Sequence, residues 1–160
     1  MKKVVYLFIV VLICLSCSEN NSSIDVTTVK GEVEEMLEAY VNQVNTKGLK
    51  GIDYYFSKDK RFSWVEDGIM QYPNRESLLE GIEEFYPTVK VIDLKILKQD
   101  IVVIDSGLVS IYLEFKERLE LNSGYNFTLD GAMTILTIRE DKSWKFLIGH
   151  SSIKKPRGGN

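Results

Sequence analysis

Apolar positions along this chain follow two periods, one after the other. Val29, Val33, Met36, Leu37, Tyr40, Val41 and Val44 recur at steps of three and four residues, which predicts one face of a long amphipathic helix. Asn45 to Gly48 supply its stop. Leu49, Ile52, Tyr55 and Phe56 predict a second, shorter helix after Gly48. Leu78, Leu79, Ile82, Phe85 and Tyr86 predict a third, with Asn74 as N-cap and Pro87 at its end.

Elsewhere the period is two. Phe62, Trp64 and Glu66 alternate with Arg61, Ser63 and Val65, and Asp67-Gly68 supplies the turn of a first hairpin. From Thr88 the chain reads as nearly continuous strand. Ile92, Leu94 and Ile96 precede a turn at Gln99-Asp100, and Ile101 to Ile104 run on to a bend or bulge at Asp105-Ser106-Gly107. Leu108 to Leu121, Phe127 to Arg139 and Ser143 to Ile153 are long strands, separated by Asn122-Ser123-Gly124 and Glu140-Asp141-Lys142. Helices first and a large antiparallel meander afterwards predict a single α+β domain over residues 25–155.

The first residues follow a different pattern. Lys2 and Lys3 precede an apolar run from Val4 to Ile13, and Leu15-Ser16-Cys17 follows. A membrane-spanning helix needs ~20 apolar residues, whereas this run has the length of a signal-peptide core. Ser16-Cys17 resembles the lipobox of bacterial lipoproteins, with Cys14 where that pattern usually carries Leu. The resemblance implies a signal over residues 1–16, lipid on Cys17, a short tether over 17–24 and attachment to a membrane that faces the periplasm or the cell surface. An ordinary secretory peptide with an incidental cysteine is the competing reading. Residues 156–160 read as a disordered tail.

Composition narrows the chemistry. Cys14 and Cys17 are the only cysteines, so the domain itself has no disulfide and no thiol. Its single histidine leaves no zinc or transition-metal cluster of the usual kind. No glycine-rich loop follows a strand and opens a helix, so a nucleotide cradle is not expected, and no cofactor is implied. The formal charge is -3, and removing Lys2 and Lys3 makes it more negative, which argues against nucleic acid as a partner.

Gly131-Ala132-Met133-Thr134, Arg139, Trp144-Lys145-Phe146 and His150-Ser151-Ser152 resemble the closing two strands of SnoaL-like members of the nuclear transport factor 2-like superfamily. Phe62 to Gly68, followed by Tyr72 and the Asn74 helix, resembles that family's first hairpin and third helix. The resemblance implies a cone: three N-terminal helices packed in a strongly curved antiparallel sheet around an internal cavity. A homodimer is also implied. The family hosts enzymes, ligand carriers and protein-binding modules, so function has to come from the residues.

His150 is the only histidine and matches the family's closing-strand histidine. Alternation along an unbroken strand puts it on the face of Trp144, Phe146, Ile148 and Ser152, where it would project into the cavity as a neutral base or a donor. The alternative is a histidine tied to a neighbouring strand or carboxylate. Glu66, at the end of the Phe62-Trp64 row, and Asp130 are its candidate partners in proton transfer, Glu66 serving otherwise as part of an exposed turn. Glu114 is a weaker candidate. Tyr40, Tyr54, Trp64, Tyr72, Tyr86, Tyr112 and Phe127 are candidates for the wall of a ligand cavity, two or three of them touching the ligand. Two readings follow. The leading one is an exported, membrane-tethered domain whose aromatic cavity binds a small apolar molecule or a peptide segment. The other is a small cofactor-independent isomerase, dehydratase or hydrolase using His150 with a carboxylate.

Overall fold

The structure, a computed structural model, describes residues 24–154. The signal segment, Cys17 and the 156–160 tail lie outside the described residues. Helix α1 (Val26–Lys47) starts at Asp25, whose carboxylate accepts from the Thr28 backbone N–H at 3.1 Å and from its hydroxyl at 2.6 Å. Its stripe of Val29, Val33, Leu37 and Val44 is buried. Gly48, at φ 62°, ends it.

The second predicted helix is only a 3₁₀ turn over Ile52–Tyr55. Gly51 repeats the positive φ of Gly48, and by Phe56 the chain is extended and bridged to Phe146, which leaves no length for an α-helix. Among the described residues there are therefore two α-helices where three were expected. Strands β1 (Ser63–Glu66) and β2 (Ile69–Tyr72) form the predicted hairpin. Asp67 and Gly68 both have positive φ, the requirement of a two-residue turn matched to strand twist. Helix α2 (Arg75–Phe85) is capped by Asn74, which accepts from the Ser77 N–H at 2.9 Å, and runs into a 3₁₀ turn containing Pro87.

Strands β3 (Val89–Asp105), β4 (Leu108–Leu121), β5 (Asn126–Glu140) and β6 (Ser143–Ile153) make the meander. The sheet order is β2-β1-β6-β5-β4-β3, with every neighbour antiparallel except β1 and β6, which are parallel. No turn occurs at Gln99-Asp100. Gln99 lies opposite Leu113 and Asp100 opposite Tyr112 within one ladder, and the irregularity falls between Ile96 and Lys98. One extra residue, Leu97, switches the buried positions from Ile92 and Leu94 to Ile101. A bulge and a turn leave the same parity change in a sequence.

Strand β6 repeats the device. Thr137 pairs with Phe146 and Leu136 with Ile148, so Leu147 is the extra residue. Such bulges bend the strand that carries them, and here they help to curl the sheet around α1. The Asn45 side chain fixes the helix to the sheet edge: its amide donates to the Leu94 carbonyl at 2.9 Å, and its oxygen accepts from the Leu94 N–H at 2.7 Å. At one end of the cone Val109 and Ile111 are fully buried in the core that takes the α1 stripe. At the other end the packing opens.

Candidate functional site

The opening is a cavity of about 340 Å³, walled by α1, α2 and the concave face of the sheet. Its walls are mainly apolar, including Leu37, Phe56, Phe115, Leu129, Met133 and Phe146. Polar groups reach it from four elements. Tyr40 comes from α1, Trp64 and Glu66 from β1, Tyr72 from β2 and Glu117 from β4, with Asp67 and the serines 151 and 152 at the same end.

Each position follows from local structure. Strand β4 has no register shift against β5, so its odd residues stay on one face: Val109, Ile111, Leu113, Phe115, Glu117 and Leu119. Glu117 therefore stands in an otherwise apolar row. In β1, Trp64 lies opposite Gly149 and Glu66 opposite Ser151 across the parallel pair. A Cβ on Gly149 would collide with the Trp64 ring, so glycine there is what lets the indole lie flat on β6. The indole N–H donates to the Ser151 hydroxyl at 3.4 Å. Tyr72 rests against Gly81 of α2 in the same manner.

The electrostatics of this end are set by desolvation. Burial raises the pKa of the Glu117 carboxyl, and the charge of Glu66 raises it further. Glu66 stands at the rim, open to solvent outward and desolvated inward; burial and then the neighbouring Asp67 charge raise its pKa. Burial likewise pushes up the phenols of Tyr40, facing Glu117, and Tyr72, facing Glu66. No Lys, Arg or His side chain lines the cavity among the described residues. Two carboxyls that hold protons more readily than usual, in a site of low polarity, can donate as neutral acids, accept a proton or neutralise a cation.

Among the residues expected from the sequence, Tyr40, Trp64, Tyr72 and Glu66 meet at this cavity. The others do not. His150 is exposed on the outer face, because the Leu147 bulge reverses parity after Phe146 and turns Gly149 and Ser151 inward instead. Asp130 is also exposed, 3.9 Å from the Lys116 ammonium. Tyr112 lies outside with Glu114, its hydroxyl donating to that carboxylate at 3.2 Å. Tyr54 is exposed, its hydroxyl 3.0 Å from that of Ser143 and its ring beneath the Lys145 ammonium. Phe127 packs against the core and Tyr125 away from the cavity, and Tyr86 is exposed beside Gly48. Glu117 was not singled out by sequence reasoning. Its signal was present: one acidic residue at an inward position in an unbroken apolar alternation.

No family model matches the chain, and no curated protein matches its sequence. Solved structures do match. One is a candidate scytalone dehydratase from Novosphingobium aromaticivorans DSM 12444, at TM-score 0.72 and 10% identity, with 81% of this chain and 86% of that one covered. A nuclear transport factor 2-like superfamily protein from Salmonella enterica serovar Typhimurium LT2 matches at TM-score 0.69 and 14% identity, covering 82% and 95%. The chain has the nuclear transport factor 2-like fold. A hexachlorocyclohexane dehydrochlorinase, LinA type 2, shares it at TM-score 0.66 and 12% identity, covering 81% and 87%. At such identities the likeness is one of fold: a curved sheet closed by helices around a cavity.

Proposed function

We propose that this protein is an exported domain, tethered to a membrane through lipid on Cys17, whose cone binds a small, mainly apolar ligand. The observation that carries the reading is the cavity itself. Its volume of about 340 Å³ falls at the lower end of the ~300–1,000 Å³ common for small-molecule sites, and its wall is apolar with a few convergent polar groups, as such sites usually are. The tether rests on Lys2-Lys3, the Val4–Ile13 run and Ser16-Cys17.

Binding is tested by titrating the purified full chain with the neutral fluorescent probe N-phenylnaphthylamine. A saturable enhancement is expected, and Met133→Trp, which fills the cavity, is expected to remove it. Enhancement that survives the filled cavity would place the probe elsewhere and sink the reading. For the tether, metabolic labelling with palmitate should mark the chain and lose the mark in Cys17→Ala.

A second reading has one observation in its favour, the raised pKa of both Glu66 and Glu117. In a small isomerase, dehydratase or hydrolase this pair, rather than His150, would carry the proton. A bound molecule recovered chemically unchanged after prolonged incubation counts for the carrier.

A further inference from the structure

Charge is distributed unevenly in the cavity wall. Among the described residues Glu66, Asp67 and Glu117 are its charged residues, with no Lys, Arg or His in the lining. Asp67 is engaged by the sheet, accepting from the Ile153 N–H at 2.9 Å. Glu66 and Glu117 form no hydrogen bond or ion pair with another described residue. The phenol of Tyr40, partly buried and lining the cavity, has no hydrogen-bond partner among the described residues either. Glu117 and the Tyr40 phenol are partly buried and Glu66 stands at the rim, so three polar groups with open hydrogen-bonding capacity border one apolar void and describe a ligand with matching polarity.

The sign of that polarity is fixed by the lining. An amphipathic anion such as a fatty acid would meet carboxyls and, among the described lining residues, no cation to pair with. A neutral alcohol could satisfy one group. A protonated amine supplies up to three donors and a positive charge to carboxyls that have neither a donor nor a cation beside them, and Tyr40, Trp64 and Phe56 in the wall are of the residue types that attract a cation.

We propose that the cavity selects apolar molecules bearing a protonated amine, with the ammonium group at Glu66 and Glu117 and the apolar body against the aliphatic and aromatic wall. The proposal rests on the cavity-binding reading above and assigns its ligand class. Glu117, the deeper carboxyl, is its principal anchor.

Isothermal titration of the full chain near neutral pH with naphthylmethylamine, naphthylmethanol and naphthoate separates the possibilities. These probes share a two-ring body and differ in the sign of the polar end. The amine is expected to bind at least about tenfold more tightly than the alcohol, and the alcohol more tightly than the acid, the scale on which one charge-assisted hydrogen bond acts. Glu117→Gln should erase most of the amine preference while holding alcohol affinity within about threefold, and Glu66→Gln should erase a smaller part. Alcohol or acid binding as tightly as the amine would overturn the amine assignment and leave the cavity reading standing. Heat from none of the three would count against both, and the wild-type comparison decides even where a variant does not fold.

Discussion

The two ends of β4 share one strand, one parity and one sheet partner, yet they do opposite work. Near its start Val109 and Ile111 are sealed in the core that takes the α1 stripe, each with no exposed surface. Farther along, the same inward row passes Phe115 and Glu117 at the cavity. The difference is what lies opposite: closely packed core at one end, and at the other the second half of α1 with the short turn, α2 and the hairpin, which leave a gap. Stability is concentrated where the packing closes, and the capacity to bind arises where the same surface is left without a partner.

Truncation at both ends sharpens that contrast most strongly. Ile111→Ala opens a void in a sealed region and should cost about 3 kcal/mol in urea unfolding. Leu129→Ala, on a wall that already faces empty space, should cost about 1 kcal/mol, because fewer contacts are lost. Equal costs would mean that the cavity collapses in solution.

The next effect comes from the opposite change, adding an atom. Gly149→Ala drives a methyl group into the Trp64 ring and should cost about 2 kcal/mol, with a shift in tryptophan emission as the indole leaves its place on β6. Gly131, where a Cβ would come within 2.6 Å of Phe115 and of the Ser152 carbonyl, should behave alike. An unchanged emission spectrum in Gly149→Ala would mean that the ring does not lie there.

Charge distinguishes the ends more gently. Burial and the Glu66 charge raise the Glu117 pKa, so the folded state favours its protonated form. The groups facing it among the described residues are Glu66, with Asp67 and Tyr72 beyond, and the phenol of Tyr40, none of them cationic. The stability this carboxyl contributes is therefore complete below its ordinary value of 4.5 and is lost as pH rises through the raised value. Glu117→Gln, neutral throughout, should unfold at higher urea than the parent near neutral pH, and the advantage should fade below 4.5. A variant less stable at neutral pH would show that Glu117 has a cationic partner.

How much of this was legible beforehand depends on whether a period runs unbroken. Helix α1 and strands β4 and β5 were readable because nothing interrupts their stripes over many residues. The second helix was misread because Leu49, Ile52 and Phe56 mimic helical spacing, while the backbone at Gly48 and Gly51 is a conformation that spacing does not reveal. Leu97 and Leu147 were invisible as bulges, since an extra apolar residue in a strand resembles any other. Trp64 and Glu66 followed from the Phe62-Trp64-Glu66 alternation. Glu117 obeyed the same rule, but attention fell on the chain's only histidine.

That histidine supplies the smallest expected effect. Alternation extended across β6 without a break puts His150 in line with Phe146, whereas the pairing of Thr137 with Phe146 and of Leu136 with Ile148 inserts Leu147 between them. His150 then stands on the outer face opposite Thr134, and its neighbour Ser151 takes the inward position below Trp64. An exposed imidazole without buried contacts should change stability by less than about 0.5 kcal/mol when replaced, so His150→Gln is expected to unfold like the parent and to bind the naphthyl probes within about twofold of it. Ser151→Val provides the contrast from the next residue: it removes the acceptor of the Trp64 N–H and should alter tryptophan emission and probe affinity together. If His150→Gln alone lowers affinity tenfold, β6 runs without its bulge in solution, and the inner and outer faces of its second half must be exchanged.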